Sequence, residues 1–342
     1  MGMSATELAE APSGAQEAPE GQKLAGRSPT QIAFERLRKD KTAIVCTIIV
    51  SLLVLAAVFA PWICKALSIY PTTASLPYQA SDVLEFGGNQ NGMPINGPPN
   101  HGFWAAHPLG LAPTTGVDNL ARLLYGLRTD LLIATIATVL SISIGVILGL
   151  LAGFSRGWLD RIVMFITDLF LSFPFLLGAL AMAPIIVERF QKPGQLDTLY
   201  KVQFFALVAI LTIFGWMGMT RLIRGQVLSL REREFVQAAQ VMGVPTRRIL
   251  FKELLPNLVA PIVVATSLAL PGLITAEAGL SFLGIGINGY PSLGQTIADA
   301  QQYWEQYPLY LWAPVLTISI LVVALNLLGD SIRDAFDPKT RR

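Results

Sequence analysis

The stretch REREFVQAAQVMGVPTRRILFKELLPN, residues 231–257, decides how this chain is read. It lies between two runs apolar enough to cross a membrane, yet it is too charged to sit in lipid. About 35 residues separate those runs, below the size at which a single core stabilises itself. Its pattern predicts two short helices. Phe235, Val236, Ala238, Ala239 and Met242 give the first an apolar face, and Gly243 fits a left-handed stop after it. Pro245 and Thr246 open the second, which is expected to end before Pro256. Arg247, Arg248 and Lys252 are expected to turn outward. A helix pair held at both ends by membrane anchors is a protrusion suited to a partner. The plainer reading is a solvated loop.

Composition supports the membrane setting. Of 342 residues, 53% are hydrophobic and 14% charged, against roughly 25% charged in soluble domains. A net charge of +2 with no basic-aromatic patch gives no reason to expect nucleic acid. Cys46 and Cys64 belong to one apolar run, and eighteen residues of helix would hold them ~27 Å apart, too far for a disulfide. With two His and two distant Cys, no zinc-ligand spacing exists, so no metal site is expected. His101 and His107 read as surface loop residues.

In order along the chain, residues 1–42 form a tail, polar and disorder-prone over its first 30 or so residues. Gly21–Ser28 imitates a phosphate loop, but it follows no strand. Phe34, Arg36, Arg38, Lys39 and Lys41 suggest an amphipathic lead-in helix. Residues 43–64 hold the first span, read as an uncleaved anchor, since about 20 apolar residues cross the hydrocarbon core. Residues 65–129 are a long polar insert, with a small ordered piece near Val83–Phe86 and a short interfacial helix over Leu120–Leu132. The core, residues 130–330, begins with a span to Phe154 in which Ala137, Ser141, Gly145, Gly149 and Gly153 recur every four residues. Such a face lets helix backbones approach closely, either within the chain or at a subunit or pore seam.

The third span, Ile162–Val187, should bend at Pro174 and Pro184. Its Asp168 is an intramembrane carboxylate, either a structural contact or a pathway group; Glu277, beyond the fifth span (Leu258–Ala276, with Pro261 and Pro271), is the second. The fourth span covers Gln203–Met219 and is closed by Arg221 and Arg224. Gly284, Gly286 and Gly289 spell GxGxxG without the strand-turn-helix unit that a dinucleotide site needs. The sixth span is Leu309–Leu328, and a cytoplasmic tail covers 331–342. With the N-terminus inside, six Lys/Arg fall in the tail, two in the 155–161 turn, seven in the 221–257 loop and four at the C-terminus, leaving six outside. Both termini and the 221–257 loop are therefore expected in the cytoplasm.

The spacing Gln237-Ala238-Ala239, Gly243, Leu255-Pro256 resembles the coupling loop of ABC-importer permeases, with Gln237 replacing the usual Glu and Glu253 standing where many members carry Ile. HPLG (107–110), RLLYG-R (122–128), the Asp168–Pro174 text, EAGLSFLG (277–284) and GD-x-x-R-D-x-x-DP (329–338) are similar to the C-type permease of dipeptide, oligopeptide and nickel importers. LAPTTGVDN (111–119) departs, being one residue longer than the common text and lacking its G-R-D. The 65–105 insert also looks longer than usual. Both departures bear on how a solute donor docks.

The resemblance implies an all-α membrane protein with six transmembrane helices in the type I ABC-importer permease fold, with a long extracytoplasmic insert between helices 1 and 2. It implies a bacterial plasma (inner) membrane subunit that moves a small solute, a di- or oligopeptide first and nickel or another solute second. Its implied partners are a B-type permease, two ATPase subunits or domains, an extracytoplasmic solute-binding protein and membrane lipid. Gln237, Ala238, Ala239, Gly243, Arg247, Arg248, Leu255 and Pro256 would couple it to the ATPase. The chain carries no credible P-loop and no nucleophile–base pair, so no enzymatic site and no cofactor of its own are expected; ATP and Mg would belong to the partner ATPases. An ion-coupled secondary transporter using Asp168 and Glu277 is the rival, weakened by the lack of an inverted repeat of broken helices.

Overall fold

The computed structural model describes residues 29–86, 92–155, 157–190 and 196–337. The phosphate-loop look-alike, most of the N-terminal tail, Arg156, Lys192 and the chain from Pro338 lie outside the described residues. Within them the fold is helical. A lead-in helix α1 (Pro29–Leu37) precedes α2 (Lys41–Val58) and α3 (Ala60–Leu67). The insert holds α4 (Ala80–Val83) and a hairpin of β1 (Leu84–Glu85) with β2 (Met93–Pro94), paired antiparallel, at the place where an ordered piece was expected. Then come α5 (Asn119–Phe154), α6 (Trp158–Ser172), α7 (Phe175–Phe190), α8 (Leu196–Gly215) and α9 (Met217–Arg231). The protrusion comprises α10 (Glu234–Val241), α11 (Thr246–Arg248), a wide π turn over Ile249–Leu254 and α12 (Leu255–Asn257). The chain closes with α13 (Val259–Phe282), α14 (Leu293–Ala300) and α15 (Pro308–Phe336).

Five single stretches are long and apolar enough to span: Lys41–Val58, Asn119–Phe154, Leu199–Arg231, Val259–Phe282 and Pro308–Phe336. Leu52, Leu55, Val139, Ile147 and Val323 point outward from them, as side chains in contact with lipid do. The expected third span is broken. Pro174 lies in the gap between α6 and α7, which meet at 91°. Because α5 and α9 run parallel in register, as the contacts below require, the intervening α6–α7 pair must return the chain across the membrane. It counts as one broken span, the sixth. Pro184, Pro271 and Pro314 are accommodated inside α7, α13 and α15.

The expected interfacial helix at Leu120–Leu132 is instead the first three turns of α5. No Pro interrupts residues 119–154, and Asp118 caps the start, accepting the Ala121 N–H at 2.9 Å. His107, expected to be a free surface residue, meets this cap: its Nδ1 lies 2.6 Å from Asp118 Oδ2. The two Cys are separate and unbridged, as their spacing required.

The small-residue stripe is settled as an intramolecular seam. An added Cβ on Gly145 would stand 2.6 Å from Met219 Cβ, one on Gly149 2.7 Å from Ile223 Cβ, and one on Gly153 2.7 Å from Val227 Cβ. Ser141 continues it, its hydroxyl donating to the Thr212 carbonyl at 3.4 Å. Met219, Ile223 and Val227 follow the same four-residue step, so α9 lies along α5 over most of its length. At the far side of the bundle the two described ends meet. Arg36 Nη1 donates to the carbonyls of Ala335 at 3.2 Å and Asp337 at 3.0 Å. Asp40, the cap of α2, is tied to α15 by the Ser331 hydroxyl, a bond that holds its carboxyl below the usual carboxylate range.

The seam makes a direct prediction. Gly149→Leu has no room for its side chain and should lower subunit stability by about 1–3 kcal/mol or more. Gly225→Ala, whose Cβ meets nothing within 4 Å, should leave it unchanged. Thermal unfolding of the two solubilised variants beside wild type checks this.

Candidate functional site

The protrusion is built by local rules that its sequence announces. Gly243 ends α10 at φ 69°, the left-handed conformation that only glycine adopts without strain. Around it the Val244 N–H donates to the Ala239 carbonyl at 3.0 Å, and the Gly243 N–H to the Gln240 carbonyl at 3.0 Å. Pro245 is the cap residue of α11. The second helix does not stop before Pro256, as its missing N–H suggested. Pro256 lies in the first turn of α12, where that donor would be unpaired in any case, and the preceding π turn carries the chain into it.

Two faces result. Inside, Val236 and Ala239 pack with Ile249, Leu250, Leu254 and Leu258, and with Ile223 and Val227 of α9. Ala239 is only 6% exposed. Its small side chain serves contact within the chain, which corrects its expected place beside Ala238 on the outward surface. Outside, Gln237, Ala238, Arg247, Arg248, Lys252 and Pro256 are exposed, and Leu255 is half-buried. With them stand Val241, 88% exposed, Met242, 73% exposed, and Phe251. Val241 and Phe251 were not anticipated, because each sits one position off the apolar face that the helical period selects. Their exposure beside three cations is the kind of patch that marks a docking surface.

This patch is tied firmly to the bundle. Arg231 Nη1 donates to the carbonyls of Gly153 at 3.2 Å and Phe154 at 3.4 Å, closing the end of α5 against α9. Arg224 grips Asp160 of α6 through two bonds of 2.6 and 2.8 Å.

The two flagged carboxylates part company. Asp168 is exposed and paired with Arg221 at 2.6 Å; it bridges α6 to α9. Glu277 is fully buried in α13 and takes the Ser281 hydroxyl at 2.7 Å. Asp130 of α5, which the sequence did not single out, is also fully buried. Asp168 and Glu277 therefore do not share a site. No group of three or more metal-ligating side chains occurs among the described residues.

At the other end of the bundle the HPLG and RLLYG-R text forms a clasp. The Leu109 carbonyl accepts from Asn119 Nδ2 at 3.1 Å and from the Tyr307 hydroxyl at 2.6 Å. Buried Arg122 reaches the Tyr310 hydroxyl at 2.6 Å and pairs with Asp299. Gly126 lets the start of α14 approach, since a Cβ there would stand 3.0 Å from Leu293 N. Within the 111–119 stretch a turn is closed by the Ala112 N–H donating to the Val117 carbonyl at 2.7 Å.

Comparison with known proteins gives concordant results. The family described as "Binding-protein-dependent transport system inner membrane component" matches residues 145–342, and "N-terminal TM domain of oligopeptide transport permease C" matches residues 28–84. The chain is 33% identical over 319 residues to the dipeptide transport system permease protein DppC of Alkalihalophilus pseudofirmus, covering 92% of this chain and 91% of the relative. It is 32% identical to the oligopeptide transport system permease protein OppC of Bacillus subtilis, over 91% and 90% of the two chains. Among solved structures, an inward-facing conformation of the MetNI methionine ABC transporter superposes with a TM-score of 0.50 at 21% identity, covering 63% of this chain and 96% of that one. That likeness concerns the fold alone.

The two faces of α10 predict opposite outcomes. Ala239→Trp should collapse the helix pair, and limited proteolysis should then cut within residues 231–257. Ala238→Trp, on the exposed face, should leave the digestion pattern of wild type.

Proposed function

This chain belongs to the family of binding-protein-dependent transport system inner membrane components, and from that premise we propose that it is the C-type permease subunit of an ATP-driven importer of di- or oligopeptides. The names of its relatives support the peptide reading. The observation that carries the mechanism is the continuity of α9 with the helix pair: Ile223 and Val227 share one apolar cluster with Val236, Ala239 and Leu254. A push on the tip therefore moves α9 and, through the glycine seam, α5 as one body. Rigid-body rocking of this kind exchanges inward for outward opening.

In this reading the 231–257 protrusion docks on an ATPase subunit. Ala238, Val241, Met242 and Phe251 make apolar contact, Gln237 offers its carboxamide beside them, and Arg247 and Arg248 meet acidic residues on its rim. Gly243 fixes the turn between the helices, and Leu255 and Pro256 join the second helix to α13. ATP and Mg bind the two ATPases, and the permease chain contributes no hydrolytic group. A B-type permease completes the pathway, and an extracytoplasmic binding protein delivers the solute to the insert at 65–129. The excess of Lys and Arg on the helix-pair side supports a cytoplasmic setting for both termini and the protrusion in a bacterial plasma-membrane protein. The meeting of α1 with the end of α15 supports an even number of crossings.

Charge reversal at the tip tests the coupling. Arg247→Glu/Arg248→Glu should still co-purify with the sister permease while losing solute-stimulated ATPase activity and transport. Each rim contact is worth about 1 kcal/mol and weakens with salt. Wild-type stimulation in that variant, or transport by the isolated chain in liposomes on an ion gradient alone, would falsify the importer assignment.

A further inference from the structure

A cleft of about 470 Å³ opens between α5 and α8 at the end of the bundle away from the helix pair. Arg128 of α5 and Lys201 of α8 both line it, and among the described residues no acidic side chain does. Arg122, Arg221 and Arg224 are each paired with an aspartate. Arg128 and Lys201 have no carboxylate partner among the described residues. Asp130, the acid nearest to Arg128 in sequence, lies ~200° round the helix from it and accepts the Leu293 N–H instead.

One wall of the cleft is fixed by specific contacts. Tyr200 of α8 meets Tyr290 edge-on, with ring centroids 6.1 Å apart. Gly289, at φ 78°, admits the Tyr200 hydroxyl, since a Cβ there would stand 2.7 Å from it. The Asn288 N–H donates to Gln203 Oε1 at 2.9 Å and ties the same loop to α8. The last glycine of the GxGxxG text thus serves this wall. Beyond Arg128, its own face of α5 continues as Leu132, Ile136 and Val139, an exposed apolar stripe at helical spacing. Phe205 adds an exposed ring from α8. Arg128 stands ~39 Å along the helix from Phe154, more than the ~30 Å of a hydrocarbon core, so it reaches headgroup level when Phe154 lies at the opposite face. Lys201 lies in the first turn of the Leu199–Arg231 span.

We propose that this cleft holds one anionic phospholipid, its phosphate between Arg128 and Lys201 and an acyl chain along Leu132, Ile136 and Val139. The Arg128 guanidinium offers paired N–H donors to phosphate oxygens, and Lys201 supplies a mobile point charge on an apolar stem. Two cations outweigh the single charge of a phosphodiester. A lipid without a headgroup amine therefore fits better than a zwitterionic one, whose ammonium would meet like charge. A small soluble anion would satisfy the cations but leave the apolar stripe beside them uncovered. A lipid so held joins α5 to α8 across the mouth of the cleft.

The test uses the full-length chain in micelles carrying equal phosphatidylglycerol and phosphatidylethanolamine, with native mass spectrometry counting the lipids retained. It reads neither transport nor ATP hydrolysis, so its failure leaves the importer assignment standing. Wild type should keep one phosphatidylglycerol in preference to phosphatidylethanolamine. Arg128→Gln/Lys201→Gln should lose that preference, at about fivefold weaker retention for each cation removed. Lys201→Gln alone changes an exposed side chain and gives the same comparison where the double variant does not accumulate. Lys65→Gln, an exposed cation outside the cleft, should retain lipid as wild type does. Equal retention of the two lipids by wild type, or undiminished preference in the cleft variants, overturns the site. Displacement of the lipid by a peptide with a free C-terminal carboxylate, but not by its amide, would assign the cleft to solute and overturn the lipid.

Discussion

The close approach of α5 to α9 is the contact on which the rest of this architecture depends. In lipid, burying apolar surface between helices gains nothing over leaving it against acyl chains, so association rests on how closely backbones can meet. Gly145, Gly149 and Gly153 remove the side chains that would keep α9 away. Met219, Ile223 and Val227 fill the space they vacate. The same α9 residues then form the floor of the helix pair through Val236, Ala239 and Leu254. A single packed body thus runs from mid-membrane to the tip, and the tip has no independent core of its own.

Ionic contacts divide by depth and by worth. Asp168–Arg221 is exposed at both ends and Asp160–Arg224 is half-buried, so the first contributes about 0–1 kcal/mol and the second gains chiefly from its two-pronged geometry. These pairs, with the α6 contacts they accompany, hold the bent α6–α7 span against α9. Phe165 and Leu169 remain exposed on that span, which leaves it an apolar surface for lipid or a sister subunit. At the opposite end Asp130 and Glu277 are fully buried and accept a backbone N–H and a hydroxyl instead of a guanidinium. One type of side chain serves two purposes because the surroundings differ.

Much of the fold was legible because the signals were local. Gly243 and Pro245 fixed the turn between the two short helices, and the four-residue step from Ala137 to Gly153 marked a seam before its partner was known. Pro174 marked the break in the third span, though not that the two halves would meet at 91°, since a missing hydrogen bond permits a bend without setting its size. What stayed hidden depended on pairing across long sequence separations. Asp130 and Leu293, whose N–H it accepts, lie 163 positions apart, and nothing around Asp130 in the sequence distinguishes a buried carboxyl from a solvated one. The same holds for His107, whose partner Asp118 is also the cap of α5. Ala239 misled for a different reason: a small residue permits close approach equally to its own chain or to another, and helical period alone does not say which.

Residues 119–154 show where bending is permitted and where it is not. The α6–α7 break, Pro184 in α7, Pro271 in α13 and Pro314 in α15 all weaken the backbone ladder in other spans. Helix α5 has 36 residues and no Pro. It is capped by Asp118 at one end, clasped to Tyr310 and α14 through Arg122, Gly126 and Asp130, and seated on α9 at the other. From Asp130 to Phe154 is roughly 36 Å of uninterrupted helix, about the thickness of a bilayer core. A displacement arriving along α9 at the protrusion therefore has one stiff route to the far end of the bundle. That route ends where buried Asp130 accepts the Leu293 N–H and so holds the start of α14.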